Sequence, residues 1–184
     1  APRLLVQDPL AQHDALPLEL EAFEDYLGRT QLERFRVALI DGDPVDFCCW
    51  AWAVARRCAG LVVLLDEADQ VAPPGQEPRV FRQLVAQGRH RGIELVASAR
   101  RPSEVSRYLT ANATELYCFR SQEPKDLAYL RAILGSDATD ALPELPRFEY
   151  VAWTVERWER RALTQLAVPR RESEKELTAT AEKP

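Results

Sequence analysis

The chain has 184 residues, 46% of them hydrophobic and 29% charged, the balance of one ordinary globular domain with a sizeable core. A formal net charge of −5 excludes a protein uniformly coated for nucleic acid, although a local basic patch is compatible with that total. The longest apolar stretches, around 47–55 and 61–65, are too short to span a bilayer, and the start carries no signal-peptide pattern.

In chain order, short runs rich in Val, Leu and Ile predict strands over 4–7, 35–40, 61–65, 93–98 and 115–119. Segments long enough for helices separate them. That alternation predicts an α/β fold with a mostly parallel sheet flanked by helices. A helix is expected over 16–27, with Leu20, Phe23 and Leu27 inward. The clearest helix follows Asp43, which can cap it, with Pro44 in its first turn and Asp46 at its positive end. Phe47, Trp50, Ala51, Val54, Ala55 and Cys58 form its buried stripe, and Gly60 is expected to end it. Another helix is expected over 79–89, burying Val80, Phe81, Leu84 and Val85 before Gly92 breaks it. A further one starts near Pro124 and buries Leu127, Leu130 and Leu134, stopping at Gly135.

Beyond Leu142-Pro143 the pattern alternates over 148–155 and again over 161–168, which predicts an antiparallel hairpin at the end of the sheet, with Trp153 and Trp158 as anchors. Residues 169–184 are charged and poor in apolar side chains, the composition of a mobile tail or partner-binding segment; residues 1–168 form the expected core. The four cysteines make no CxxC pair, so structural zinc is not expected, and Cys48 and Cys58 fit as small hydrophobes on a helix face. A reducing, intracellular setting follows. The chain has no methionine and enters its first apolar run directly after Ala1-Pro2, as expected of a segment cut from a longer protein.

The most informative segment is Leu61 to Asp69, Leu-Val-Val-Leu-Leu-Asp-Glu-Ala-Asp. A buried strand can end in carboxylates because its C-terminal tip opens to solvent. Asp66 is placed to hold Mg²⁺, directly or through water, and Glu67 to orient or deprotonate an attacking water. In nucleotide-hydrolysing enzymes such an acid-tipped strand is the Walker B element.

From about Leu61 to Leu134 the chain resembles the FtsK–HerA group of P-loop ATPases, which includes DNA pumps and viral genome-packaging ATPases. The resemblance rests on the Leu-Leu-Asp-Glu-Ala strand, the Gly-Arg-His-Arg-Gly-Ile step at 88–93, the Ser-Ala-Arg-Arg-Pro-Ser strand end at 98–103 and the Phe-Arg-Ser-Gln-Glu-Pro-Lys-Asp-Leu segment at 119–127. It implies a P-loop NTPase core of the RecA-like ASCE type, with ATP and Mg²⁺ as ligands. It implies Asp66 as the Mg²⁺-associated acid and Glu67 as the catalytic glutamate. Ser98 to Arg100 fall where the family carries its polar γ-phosphate sensor; that residue is commonly Gln, and Arg100 stands at the position here. Arg89 falls where related ring ATPases offer an arginine to a neighbour's nucleotide, with Arg91 and Arg120 as rivals. The Val-Gln-Asp-Pro segment resembles the family's second strand, and Asp8 is expected to cap the turn that follows.

No Gly-x-x-x-x-Gly-Lys-Ser/Thr motif occurs, and none of the seven glycines precedes a lysine. Without it there is no nest of backbone N–H groups for the phosphates. The expectation is therefore an ATPase core whose phosphate loop lay upstream of Ala1, and weak ATP binding by the chain as written. Arg89, His90, Arg91, Arg100, Arg101 and Arg107 concentrate positive charge in an acidic chain. Repeated around a ring, such loops grip a phosphate backbone without reading sequence; nucleotide or subunit contacts are the equal alternative. His13 and His90 read as surface or interface residues.

The leading expectation is ATP-driven translocation of double-stranded DNA by a homo-oligomeric ring, a hexamer or pentamer. Viral genome packaging is the favoured role, with a capsid or portal vertex as a further partner and the host cytoplasm or the virion as its location. The alternatives are a non-hydrolysing assembly or secretion protein on the same scaffold, and an α/β binding module with a coincidental Asp-Glu pair.

Overall fold

The computed structural model describes residues 3–29 and 33–163. Strands β1 (Arg3–Gln7), β2 (Leu16–Glu19), β3 (Phe35–Asp41), β4 (Leu61–Leu65) and β5 (Ile93–Ala97) form a parallel sheet in the order β2-β3-β1-β4-β5. The strands read from the sequence at 4–7, 35–40, 61–65 and 93–98 are present, within one residue at their ends. Parallel neighbours need crossovers, and helices supply them. α1 (Leu20–Arg29) precedes β3, α2 (Pro44–Ala55) joins β3 to β4, and α3 (Ala68–Val71) and α4 (Arg79–Gln87) lie between β4 and β5.

The alternation of side chains along parallel strands fixes the core. Leu5, Val37, Leu39, Val63 and Leu65 share one face and pack against Phe23 and Leu27 of α1, Phe47 and Val54 of α2, and Phe81 and Leu84 of α4. Burying each large side chain contributes roughly 1.5–3 kcal/mol. On the opposite face Leu4, Val62 and Leu64 are half-buried and Val96 is 44% exposed. β5 is an edge strand of this sheet.

Asp43 caps α2 as expected, accepting the Val45 N–H at 2.7 Å. The helix ends at Ala55 and not near Gly60, because the Arg56 N–H turns back to the carbonyls of Ala53 and Val54; Gly60, with φ 69°, sits in the turn into β4. The helix expected over 16–27 is instead a strand and a helix. Pro17 has no N–H for a helical ladder but is tolerated in an edge strand, so Leu16–Glu19 pairs with β3 and α1 begins at Leu20. The helix expected over 79–89 is α-helical to Gln87 and continues as a 3₁₀ turn, Gly88–Arg91, closed at Gly92.

After α5 (Arg107–Asn112), β6 (Glu115–Phe119) pairs antiparallel with β7 (Glu149–Thr154), and β7 with β8 (Trp158–Ala162). These three strands make their own sheet, so neither β6 nor the hairpin extends the parallel one. The return strand starts at Trp158, three residues before the expected 161, because the Thr154 N–H donates to the Arg157 carbonyl at 2.8 Å and closes a tight turn. Trp153 and Trp158 face each other across the pair. α6 (Pro124–Leu134) and α7 (Ser136–Asp140) pack with β7 around Leu130, Leu134, Ala138, Leu142 and Val151, a second core. The tail expected over 169–184 and the end of the expected 161–168 strand lie outside the described residues.

Candidate functional site

Register alone aligns the site. Gln7, Leu65 and Ala97 are partners across β1, β4 and β5, so the next residue of each strand, Asp8, Asp66 and Ser98, falls in one row at the carboxyl edge of the sheet. The backbone extends the row by one rung. The Asp8 N–H donates to the Leu39 carbonyl (2.9 Å), the Asp66 N–H to Gln7 (3.1 Å) and the Ser98 N–H to Leu65 (2.9 Å). In open α/β sheets this edge is where ligands bind.

Asp66 is the most heavily hydrogen-bonded of the row. Its Oδ1 accepts the Ser98 hydroxyl and, at 3.1 Å, the Glu67 N–H; its Oδ2 meets His13 Nε2 at 3.1 Å. Burial by itself would raise its pKa, but the bonds from Ser98, His13 and the Glu67 amide outweigh that and hold the carboxyl below the usual carboxylate range. The group is therefore anionic at neutral pH, as a cation ligand has to be.

Glu67 takes a left-handed step, φ 51° and ψ 51°, which an L-residue with a long side chain rarely adopts. The step is pinned on its far side by the Ala68 N–H donating to the Ser98 carbonyl at 2.8 Å. It carries the Glu67 carboxylate to Arg100, whose Nη2 lies 3.2 Å from Oε1, and to Gln70, whose Nε2 donates to Oε2 at 2.5 Å. Glu67 is buried, while the Arg100 side chain is 68% exposed.

Of the residues singled out in the sequence, Asp66, Glu67, Ser98 and Arg100 thus share one site. Arg89 does not join them. It lies in the turn before β5 and Asp66 at the end of β4; the two strands are parallel and in register, so Arg89 stands at the opposite edge of the sheet. Arg91 lies over the Trp52 ring at 5.5 Å, and Arg107 over Tyr129 at 5.6 Å. Arg101 donates from Nε to the buried Asp126 at 2.9 Å. These contacts tie part of the expected basic group to the protein itself.

His13 is the site residue the sequence did not reveal. Asp8 does cap the turn after β1, accepting the N–H groups of Gln12 and His13, each at 2.9 Å. By doing so it folds the loop back and delivers the imidazole to Asp66. The signal was the Asp-Pro start of a turn, whose side-chain capture of backbone four and five residues on decides where the histidine goes.

Asp8, His13 and Asp66 each bring one ligand atom within 4.8 Å of the others, a largely anionic set that fits a divalent cation. The phosphate half of a triphosphate site has no counterpart, since the sequence offers neither a glycine-rich phosphate loop nor its lysine.

No protein-family model matches the sequence, and no curated protein matches it either. Solved structures do match in three dimensions. The genome-packaging NTPase B204 of Sulfolobus turreted icosahedral virus 2, in complex with ATP-γ-S, superposes with a TM-score of 0.73 over 86% of this chain and 81% of its own, at 15% identity. Its complex with sulfate gives a TM-score of 0.75 over 88% and 82%, at 14% identity. The DNA-packaging ATPase B204 of Sulfolobus turreted icosahedral virus gives 0.66 over 88% and 97%, at 16% identity. The chain shares the fold of these nucleoside triphosphatases. Viral genome-packaging NTPases are thus among the solved structures it resembles.

Proposed function

We propose that this chain is the acid-bearing part of a Mg²⁺-dependent ATPase that moves double-stranded DNA, with viral genome packaging as its role. One observation carries the proposal. An anionic Asp66 and a buried Glu67 stand side by side at the carboxyl edge of a fold whose solved neighbours include a packaging NTPase holding ATP-γ-S. Residues 1–168 are the core of that enzyme in this reading, and hydrolysis requires a glycine-rich phosphate loop that residues 1–184 do not contain.

In this reading Asp66 and Ser98 hold the cation and its water, as their mutual hydrogen bond prepares them to do. Glu67 orients the attacking water and takes its proton. Arg100 leaves Glu67 to meet the γ-phosphate, its planar guanidinium being suited to phosphate oxygens. Arg89, at the far edge, reaches only a neighbouring subunit's nucleotide, which makes a ring of five or six copies part of the proposal. A cation held there would supply charge neutralisation at the phosphoryl group. Among the described residues no helix is long and apolar enough to cross a membrane. The proposed place of action is the host cytoplasm or the virion.

The lack of a glycine–lysine pair favours a second reading, a non-hydrolysing assembly protein on the same scaffold. ATP hydrolysis by the longest open reading frame, measured with and without double-stranded DNA, separates the two. DNA-stimulated turnover supports the motor, and nucleotide-independent assembly without turnover supports the scaffold.

A further inference from the structure

The row of strand ends holds one group that ATP hydrolysis by carboxylates does not need, the imidazole of His13. We propose that Asp8, His13 and Asp66 form a three-residue site for a first-row transition dication, and that His13 makes the site prefer Mn²⁺ to Mg²⁺. The proposal rests on the reading above for the task of the ion, which is to sit on the triphosphate, and not for its binding.

The geometry is built by the fold. Asp8 is 1% exposed at the tip of β1, and its two oxygens accept the N–H groups of Gln12 and His13. A carboxylate oxygen has two lone pairs, so each oxygen of Asp8 keeps one for a metal. Ala11, with φ 51° and its N–H on the Asp8 carbonyl at 3.1 Å, tightens the same turn. His13 is thereby a fixed ligand on a braced loop.

One donor atom from each of Asp8, His13 and Asp66 lies within 4.8 Å of the other two. His13 Nε2 and Asp66 Oδ2 are 3.1 Å apart. Two ligands on adjacent corners of an octahedral ion, each at roughly 2.1 Å, stand roughly 3 Å apart, so this pair already has the spacing of a chelate. Two carboxylates neutralise a dication, and a neutral imidazole adds no charge. Three further corners remain for Ser98, water or phosphate oxygens.

Ligand chemistry sets the preference. Mg²⁺ takes oxygen donors and keeps its waters, whereas first-row transition dications gain affinity from an imidazole nitrogen, Mn²⁺ the least of them. A site of oxygens alone would not separate the two ions strongly; the nitrogen does. Binding replaces the hydrogen bond between His13 and Asp66, so the ion requires the imidazole neutral.

The chain contains two histidines, His13 and His90, and His90 lies in the turn before β5 at the opposite edge of the sheet, an internal control. The test uses the protein without nucleotide, titrated with Mn²⁺ and followed by electron paramagnetic resonance for binding and by NMR of the histidine rings for place. The expected result is paramagnetic broadening of the His13 ring resonances while those of His90 persist, with Mg²⁺ displacing Mn²⁺ only in excess. His13→Ala, on a half-exposed loop, is expected to weaken Mn²⁺ binding about tenfold and leave Mg²⁺ binding nearly unchanged. Absence of Mn²⁺ binding, equal broadening of both histidines, or unchanged Mn²⁺ affinity in His13→Ala would each overturn the site. Loss of the Mn²⁺ result with ATP hydrolysis intact overturns this site and leaves the ATPase reading. Mn²⁺ bound at His13 in a protein that never hydrolyses ATP removes the ATPase reading and leaves the site.

Discussion

Arg100 Nη2 lies 3.2 Å from Glu67 Oε1, so the residue at the sensor position holds the acid that the proposal assigns to water activation. The two roles exclude each other in time, because a guanidinium engaged with Glu67 is not on a γ-phosphate. In the proposed mechanism, nucleotide binding releases Glu67. Arg100→Ala is expected to lower kcat by about 10²-fold with ATP affinity little changed. Arg100→Lys is not expected to restore the rate, since an ammonium lacks the planar fork. The arginine is largely exposed, so thermal stability should stay close to that of the parent protein. Steady-state kinetics and a melting curve on each variant check both halves; an unchanged kcat removes Arg100 from the site.

Glu67 occupies the left-handed region at φ 51°. Holding a non-glycine residue there costs about 1–2 kcal/mol, and such residues cluster at functional sites. Glu67→Gly is therefore expected to stabilise the fold by about 1 kcal/mol while removing the proposed catalytic carboxylate. Urea titration reads the gain, and a loss of stability would show that Gln70 and Arg100 contribute more than the strain takes away.

Asp126 is buried beside Arg101 and Ser103. Burial alone would raise its pKa, yet hydrogen bonds from Ser103 and Arg101 hold the carboxyl below the usual range. A folded pKa below the unfolded one stabilises fully above the unfolded value, about 3.9, and that stabilisation is lost as pH falls through the folded value. The protein is thus expected to lose stability below about pH 4, and Asp126→Asn to flatten that acid limb while costing about 2 kcal/mol at neutral pH. Unfolding midpoints measured through the acid range test the slope. A limb of the same steepness in the variant would assign it to other carboxylates.

Phe47 is fully buried, with its ring centroid 6.0 Å from that of Phe23, and links α2 to α1 over the parallel sheet. Phe47→Ala should cost about 3–5 kcal/mol, the range for an aromatic core deletion. Thermal unfolding checks this; a cost below about 1 kcal/mol would mean that the helix layer closes over the gap.

The parallel strands β1, β3, β4 and β5 were legible as short runs rich in Val, Leu and Ile. Leu61–Leu65 has no polar residue, and its bounds follow directly from composition. The Asp43 cap was legible because capping is local, a side chain two residues from its donor. What sequence periodicity could not settle was pairing. Leu16–Glu19 carries an apolar pattern that fits a helix as readily as an edge strand, and β3 decides the matter from across the sheet. The separation of β6 from the parallel sheet is likewise a matter of partners, since Glu115–Phe119 looks like any other short strand. In the site, Asp66 and Glu67 stood out as adjacent acids after an apolar run. His13 did not, because its meeting with Asp66, 53 residues away, depends on a turn made by Asp8.

ATP hydrolysis at the Asp66–Glu67 edge is the step on which the proposed function depends. Glu67→Gln, in a protein that carries its phosphate loop, tests this most directly by single-turnover hydrolysis beside a fluorescent-nucleotide titration. The proposal predicts ATP affinity like that of the parent and a hydrolysis step slowed by at least about 10²-fold. Hydrolysis at the parent rate would contradict it.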